Sequence, residues 1–377
     1  MIDKIKFQKG NRDFHKAVIE RVDHYFESTG KSKGANGFMY FKSFFYIFLW
    51  LGSYFALLFG DFSLLTNNLL WIVNGLTSVF MAVNCGHDAI HGSMSSKKWV
   101  NNFFGNSFNI TGANSYIWAK IHNVVHHTFT NIAGHDEDIE SVPIARLAPS
   151  QEWKPIQKYQ HIWLFFLYPF GTLSWVFKKD YVKFFQKKIG TLDNSKHPRK
   201  EYFRLFFFKA LYYFLFIALP IIMIDMPWYT VFSGFVLGHL FGGFAIVIIF
   251  MLAHVVEEAH FPIPDNEGHI EDTWAVTQMR TTVDFGRKSP ITSFITGGLN
   301  FQVEHHLFPK ICHIHYPEVS EIVKKTAEEY EVPYNELPSF WAALKSHVRF
   351  LKKLGNNYQP QSVNLGTNKE ELKATAA

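Results

Sequence analysis

The sequence predicts an all-α membrane protein: four transmembrane helices in two hairpins, with a cytoplasmic helical cap that carries clustered histidines. Three observations predict it. The chain of 377 residues is 48% hydrophobic and 18% aromatic, with 40 Phe, yet its charges gather in separate stretches. Long apolar segments between wet ones are the pattern of a multi-span membrane protein. Four such segments, 38–60, 64–86, 202–224 and 228–253, each hold roughly 20 residues or more, enough to cross a hydrocarbon core of about 30 Å at about 1.5 Å per residue. Finally, of 37 Lys and Arg none falls in the short turns at 61–63 and 225–227. Short loops rich in Lys and Arg stay on the cytoplasmic side, so both turns face outward and both termini face the cytoplasm.

Taken in order, residues 1–37 carry eight Lys/Arg and no apolar run of signal-peptide type. Phe14, Val18, Val22 and Tyr25 keep roughly helical spacing, which predicts a short amphipathic helix on the membrane surface. The first span opens at Phe38 with Lys42 near its start, and the second follows a short turn. Residues 97–201 are wet and mixed, with 14 Lys/Arg and the acidic run HDEDIE at 135–140. Inside them His161 to Phe177 is apolar and aromatic, contains Pro169 and Gly171, and ends at Lys178 and Lys179. It reads as an interfacial, broken helix rather than a fifth span. Arg204 and Lys209 open the third span and can snorkel. Gly234, Gly238 and Gly242 recur every fourth residue of the fourth span, which suits close helix packing in lipid.

After residue 253, Pro317–Tyr330 and Ser339–Leu354 read as helices, the second with a stripe of Trp341, Leu344, Val348 and Leu351. The tail from Asn356 is polar and reads as disordered. The division is an N-terminal segment 1–37, a main domain 38–330 holding the four spans, and a C-terminal helix and tail 331–377. Cys85 and Cys312 form no disulfide framework and read as buried thiols. A net charge of +5 is modest and names no nucleic-acid partner.

Eight of the 19 histidines fall in four places. HDAIH holds His87 and His91. HNVVHH holds His122, His126 and His127. QVEHH holds His305 and His306, and His254 ends the fourth span. In a helix, positions i and i+4 share a face, so His87 and His91 point together, as do His122 and His126. A lone His pair is more often structural; eight imidazoles at one membrane face are hard to account for without a metal. Structural zinc takes four ligands, often with Cys, whereas eight nitrogens suit two ions. Imidazole alone leaves iron, copper, zinc and nickel open. HExxH is absent, and a bis-His haem site would place paired His inside the spans.

These three boxes with two hairpins resemble the membrane fatty acid desaturases, over roughly 40–330. The resemblance implies two non-haem iron ions held by His87, His91, His122, His126, His127, His254, His305 and His306, with O2 as co-substrate and electrons from an external donor. The Gln302-x-x-His-His box is similar to the front-end subgroup, which places a cis double bond between an existing one and the carboxyl end. Gln302 departs from an all-His pattern and is a weak ligand, a water holder or an open position. No His-Pro-Gly-Gly haem motif is present, so a separate ferredoxin or cytochrome b5 type donor is expected, with fatty acyl-CoA or acyl-lipid as substrate. A related di-iron hydroxylase or ketolase is the alternative; a His-rich metal transporter is the alternative of another class.

Other residues carry weaker signals. His313, His315, Asp136 and Asp138 are candidates to orient ligands, against plain loop roles. His239 lies 15 residues before His254, about 22 Å along a helix, too deep to join the cluster. His260 and His269 are left out. Arg280, Arg287 and Lys288 are candidates for an anionic headgroup, against an ordinary basic surface. The aromatic spans read as lipid-facing, with no acyl tunnel residue nameable.

Overall fold

In the computed structural model, which describes residues 5–9, 13–140 and 142–359, the apolar stretches become helices whose starts are set by capping residues. Asn36 accepts a hydrogen bond from the Met39 N–H and opens Gly37–Phe59. Ser63 accepts from Thr66 and opens the next helix. Each oxygen satisfies one of the N–H groups that a helix start leaves unpaired. Among the described residues four helices are long and apolar enough to cross a membrane: Gly37–Phe59, Leu64–His91, Arg199–Met223 and Trp228–His254. The second runs past its expected end through a π-helical turn, Ala82–Gly86, into His87–His91. Hydrophobic periodicity holds no signal for such a turn. Among the described residues the remaining regular structure is helical, apart from three two-residue ladders, and long turn-and-loop segments such as 130–154 join it; one ladder sets Lys6–Phe7 beside His269–Ile270.

The tightest packing joins the second and fourth long helices. A Cβ added at Gly75 would lie 2.0 Å from the Gly238 carbonyl oxygen, one at Gly238 2.5 Å from that of Trp71, and one at Gly242 2.7 Å from that of Gly75. The contacts advance by four residues on both helices, so the two run parallel. The glycine stripe therefore does mediate close approach, and its partner is the second helix. Parallel running brings His87 and His254, near the C-terminal ends of these helices, to the same end of the molecule.

Several expectations change. The N-terminal helix Asp13–Thr29 buries Phe14, Val18, Val22 and Phe26, and they pack on Val319, Val323 and Ala327 of Tyr316–Glu329. Its apolar face is covered by protein, because the helix it meets offers a matching stripe. Lys209 does not snorkel. It is buried, with Nζ donating to the carbonyls of Gly112 (2.7 Å) and Val176 (2.9 Å) and to Asp180 (2.8 Å). In Phe340–Gly355 the buried face is Ala343, His347, Phe350, Leu351 and Leu354, while Trp341 is 73% exposed. His347 turns that face inward by bonding the Val255 carbonyl (2.6 Å) and Tyr168 (2.9 Å). The segment expected to be broken is broken: Gln160–Leu167 ends at a 3-10 turn, Tyr168–Phe170, before Gly171–Ser174. Of the tail, residues 360–377 lie outside the described residues.

Candidate metal centre and adjoining cavity

Four elements bring the eight histidines together. His87 and His91 form the last turn of the second long helix, directly after the π turn. A second π-helical segment, Lys120–His126, carries His122 and His126 and hands on to His127. His254 ends the fourth long helix. The short helix Gln302–Leu307 supplies His305 and His306. His91 is half-buried and the other seven are buried.

The ring nitrogens converge. His122 Nε2 is 3.3 Å from Nε2 of both His87 and His305, and 3.2 Å from that of His127; His127 and His305 are 3.0 Å apart. Nitrogens at right angles around a metal at about 2.1 Å stand about 3.0 Å apart, so this is the spacing of a ligand set. His87, His91, His122 and His305 form one group with donor atoms within 4.8 Å of each other. His126, His254 and His306 form a second, and His127 with His305 and His306 joins them. His122 and His126 do share a face, with rings 5.2 Å apart and nearly parallel, and both approach Asp138, yet His122 also joins His87, His91 and His305 while His126 joins His254 and His306. Spacing alone does not reveal that division.

Hydrogen bonds on the far side of the rings select the ligand atoms. Both Asp136 carboxylate oxygens lie 3.1 Å from His126 Nδ1. Gln278 Oε1 accepts from His306 Nδ1 at 2.8 Å. A proton held at Nδ1 leaves Nε2 as the donor toward a metal. Asp136 thus has the orienting place considered for it, and Asp138 stands farther off, 3.7 Å from His126 Nδ1. His313 donates to Asp88 at 2.9 Å and meets Lys42 Nζ at 3.0 Å, so it braces the first box. His315 bonds the Gly34 carbonyl at 3.0 Å. Gln278, Lys42 and Asp88 were not legible as site residues, because their roles depend on contacts far away in the chain.

Burial, reinforced by neighbouring imidazoles, holds His122, His127, His305 and His306 well below their ordinary pKa. They are neutral, the form that binds metal. Burial opposes charge on His126 as well, but Asp136 outweighs it and His126 is raised. Burial likewise works against the Asp136 carboxylate, and His126 and two backbone N–H groups more than offset it. Among the described residues His91 Nε2, His126 Nε2 and Gln302 Oε1 are buried without a hydrogen-bond partner. Each such orphan costs about 1–3 kcal/mol, and a cation in each histidine group would satisfy His91 in the first and His126 in the second, so the donor set fits two metal ions. Gln302 Nε2 is 2.8 Å from His254 Nε2 and 3.2 Å from His306 Nε2. Turning the amide over would place its oxygen inside the second group.

The headgroup candidates are otherwise engaged. Arg287 pairs with Glu321 (2.5 Å) and Glu336 (2.6 Å), and Arg280 with Asp272 (2.8 Å). Lys288 is exposed.

Beside the histidines opens a mainly apolar cavity, with about 830 Å³ of space free of atoms, part of it open to the surroundings. It touches His87 and Trp118 at one end and reaches Trp50, Trp71 and Phe235 at the other. Along the second long helix its wall runs from Trp71 to His87, about 24 Å at about 1.5 Å per residue. One leaflet of a bilayer is about 15 Å of hydrocarbon, so the wall is long enough to lie along a membrane acyl chain. His239 lies in this wall, bonded to Tyr212 OH (2.8 Å) and Thr172 Oγ1 (3.0 Å), away from the histidine groups. Aromatic residues that face a cavity and those that face lipid look alike in the sequence.

Comparison with known proteins points the same way as the boxes. The fatty acid desaturase family model matches residues 63–338. The chain is 35% identical to the sn-1 linoleoyl-lipid 6-desaturase of Arthrospira platensis, over 96% of this chain and 97% of that protein. It is 35% identical to the enzyme of the same name from Synechocystis, over 94% and 98%. A third relative, the acyl-lipid (8-3)-desaturase of Physcomitrium patens, is 35% identical over 92% of this chain and 72% of its own length.

Proposed function

The chain belongs to the fatty acid desaturase family, and on that premise we propose that it is a front-end acyl-lipid desaturase with a di-iron centre. It is an oxidoreductase acting on fatty acyl chains. The relatives named as 6-desaturase and (8-3)-desaturase support insertion of a double bond on the carboxyl side of an existing one.

The observation that carries the site assignment is the joined pair of imidazole groups. In this reading His87, His91, His122 and His305 hold one ion. His126, His254 and His306 hold the second, with Gln302 available to it and His127 between the two. A methylene group has neither an acidic proton nor an electrophilic carbon, so acid–base or nucleophilic side chains cannot attack it. Two iron ions would supply O2-dependent oxidation of the unactivated C–H bonds, with two electrons from an external donor.

The chain's own residues do the rest. Asp136 and Gln278 hold protons at Nδ1 of His126 and His306 and keep their Nε2 atoms turned inward. The cavity wall from Trp71 to His87 holds the acyl chain so that few carbons lie near the histidines, and position decides which are oxidised. Apolar walls keep water from the reacting segment. The substrate is an acyl-lipid, and the donor is a ferredoxin or cytochrome b5 type protein docking on the cap. We assign residues 38–330 to the catalytic domain, with the turns outside and the cap cytoplasmic.

The test is a fatty acid profile, with double-bond positions, of a host fed linoleate and expressing either the wild type or His126→Ala. A new double bond nearer the carboxyl end, lost in the variant, is the expected result. A hydroxylated product would move the assignment to a hydroxylase. Zinc or haem in place of about two irons in the purified protein would end the di-iron reading.

A further inference from the structure

Two of the headgroup candidates read from the sequence are spent on neighbours: Arg280 on Asp272, and Arg287 on Glu321 and Glu336. Helix Phe340–Gly355 is different. Lys345, Arg349 and Lys352 are exposed on it. Among the described residues the only ion pair of this helix joins Lys353 to Glu257, at 2.5 Å. Trp341, Lys345 and Lys352 recur at i, i+4 and i+11, which is one face of a helix, and Arg349 stands beside them. An open groove here is lined by Glu257, Arg349, Lys352, Lys353 and Asn356. Its one carboxylate is the partner of Lys353, so the charge left over is positive.

Contacts of His347 fix the height of this helix. Its Nδ1 bonds the carbonyl of Val255, the residue after the fourth long helix ends, and its Nε2 bonds Tyr168 OH. From Tyr168 the broken segment continues beside the fourth helix: the Pro169 carbonyl meets Gly243, 11 residues before His254, or about 16 Å along a helix. Helix Phe340–Gly355 therefore lies across the end of a membrane span, where hydrocarbon gives way to headgroups. The chain next to it is apolar on its outer side. Ile156, Tyr159, Ile162 and Phe166 are exposed and spaced by three or four residues, one face of the segment. That segment packs on the same helix. Gln160 donates to the Leu351 carbonyl at 3.1 Å, and a Cβ added at Gly355 would lie 2.5 Å from the Gln157 carbonyl oxygen. Burial and the nearby Lys352 ammonium both lower the His161 pKa. Exposed apolar groups and unpaired cations thus stand side by side at one level.

We propose that Lys345, Arg349 and Lys352 bind the phosphate of an anionic phospholipid, whose acyl chains lie on Ile162 and Phe166 while Trp341 sits among the headgroups. A soluble acidic partner would meet the cations but leave the apolar face in water; an anionic lipid satisfies both. A zwitterionic lipid covers the apolar face equally well, but its ammonium offsets its phosphate and leaves the surplus positive charge unmet. Arg349 presents a forked set of donors to phosphate oxygens, and the lysines act as point charges. The site is separate from the histidine centre and does not depend on the desaturase reading.

The experiment equilibrates the purified full chain with equal amounts of phosphatidylglycerol and phosphatidylcholine and measures the ratio retained by native mass spectrometry. Wild type is compared with a stripe variant carrying Lys345→Gln, Arg349→Gln and Lys352→Gln. A control makes the same charge change at three other exposed positions, Lys288→Gln, Lys310→Gln and Lys325→Gln. The expected result is a preference for phosphatidylglycerol in wild type and control that falls about fivefold for each cation removed from the stripe. No preference in wild type overturns the proposal. An equal loss in both variants also overturns it, because net charge alone would then set the ratio. A stripe variant that keeps the lipid preference but loses turnover with its electron donor assigns the cations to an acidic protein, and likewise overturns it. Should the stripe variant fail to fold, wild type in vesicles is labelled with an amine-reactive reagent. Vesicles of phosphatidylglycerol, compared with phosphatidylcholine, should protect Lys345 and Lys352 more than Lys288, and equal labelling overturns the proposal.

Discussion

At the scale of single residues, the centre depends on groups that never touch a ligand position. Asp136 is fully buried, with both oxygens on His126 Nδ1 and one also accepting from the Asn131 N–H at 2.8 Å. Replacing it by Asn keeps the shape but allows the amide to present either end, so the His126 proton is no longer fixed on Nδ1. Partners of this kind are worth about 10–100-fold in metal affinity or activity. Asp136→Asn is therefore expected to purify folded, with iron per chain reduced and product formation lowered by that order. Elemental analysis beside the product assay checks it, and full iron content would show that Asp136 does not position the ligand. The boxes themselves were legible, because packing alone seldom places i, i+4 histidines at the ends of apolar stretches. Asp88 and Lys42 were not, since the Lys42–His313 bond joins residues 271 positions apart.

At the scale of elements, two devices shape the cavity. One is the glycine seam between the second and fourth long helices. A side chain at Gly75 collides with backbone, which cannot turn aside, whereas at Gly52 nothing lies within 4 Å. Gly75→Val should cost about 1–3 kcal/mol through overpacking. Gly52→Val, equally β-branched and also in a long helix, is the control. Comparing the folded fraction after heating in detergent separates them, and equal losses would refute the seam. The other device is Lys209, which holds the carbonyls of Gly112 and Val176 and so ties together two walls of the cavity. Lys209→Met leaves the Asp180 carboxylate buried and unpaired, a change of about 3–5 kcal/mol. Burial already raises the Asp180 pKa, against the pull of Lys209. Without Lys209 the folded-state value rises further above the unfolded one. The deficit is then greatest where Asp180 is ionised and shrinks as pH falls and the carboxyl takes up a proton. Heat-stability measurements between about pH 8 and pH 5 should show this narrowing for Lys209→Met, and Lys209→Met with Asp180→Asn should lack it. The sequence placed the glycines and the spans but misread Lys209. A lysine near a helix start looks the same whether its ammonium reaches water or backbone carbonyls.

At the scale of the whole molecule, the remaining question is which side of the membrane holds the histidines. The second and fourth long helices run parallel, and the rings of His126 and His254, 4.7 Å apart, bring the cap to the end of the fourth. Whatever compartment the cap faces, the whole centre faces it too. The positive-inside rule supplies the sign: no Lys or Arg lies in the two short turns, and fourteen lie in residues 97–201 alone. A soluble electron donor must also reach the centre from the compartment that holds it. The charge rule, with the proposed donor, makes the cytoplasm our proposed side. Cys85 and Cys312 are buried, so they give little background to a thiol reagent, and single cysteines can be introduced at exposed sites. Asp61→Cys and Asp225→Cys sit in the turns, and Lys288→Cys on the cap; all three positions are exposed. A membrane-impermeant maleimide added to intact cells should label the first two and spare the third until the membrane is permeabilised. Labelling of position 288 from outside, with 61 and 225 protected, would invert the molecule and move its electron donor to the opposite compartment.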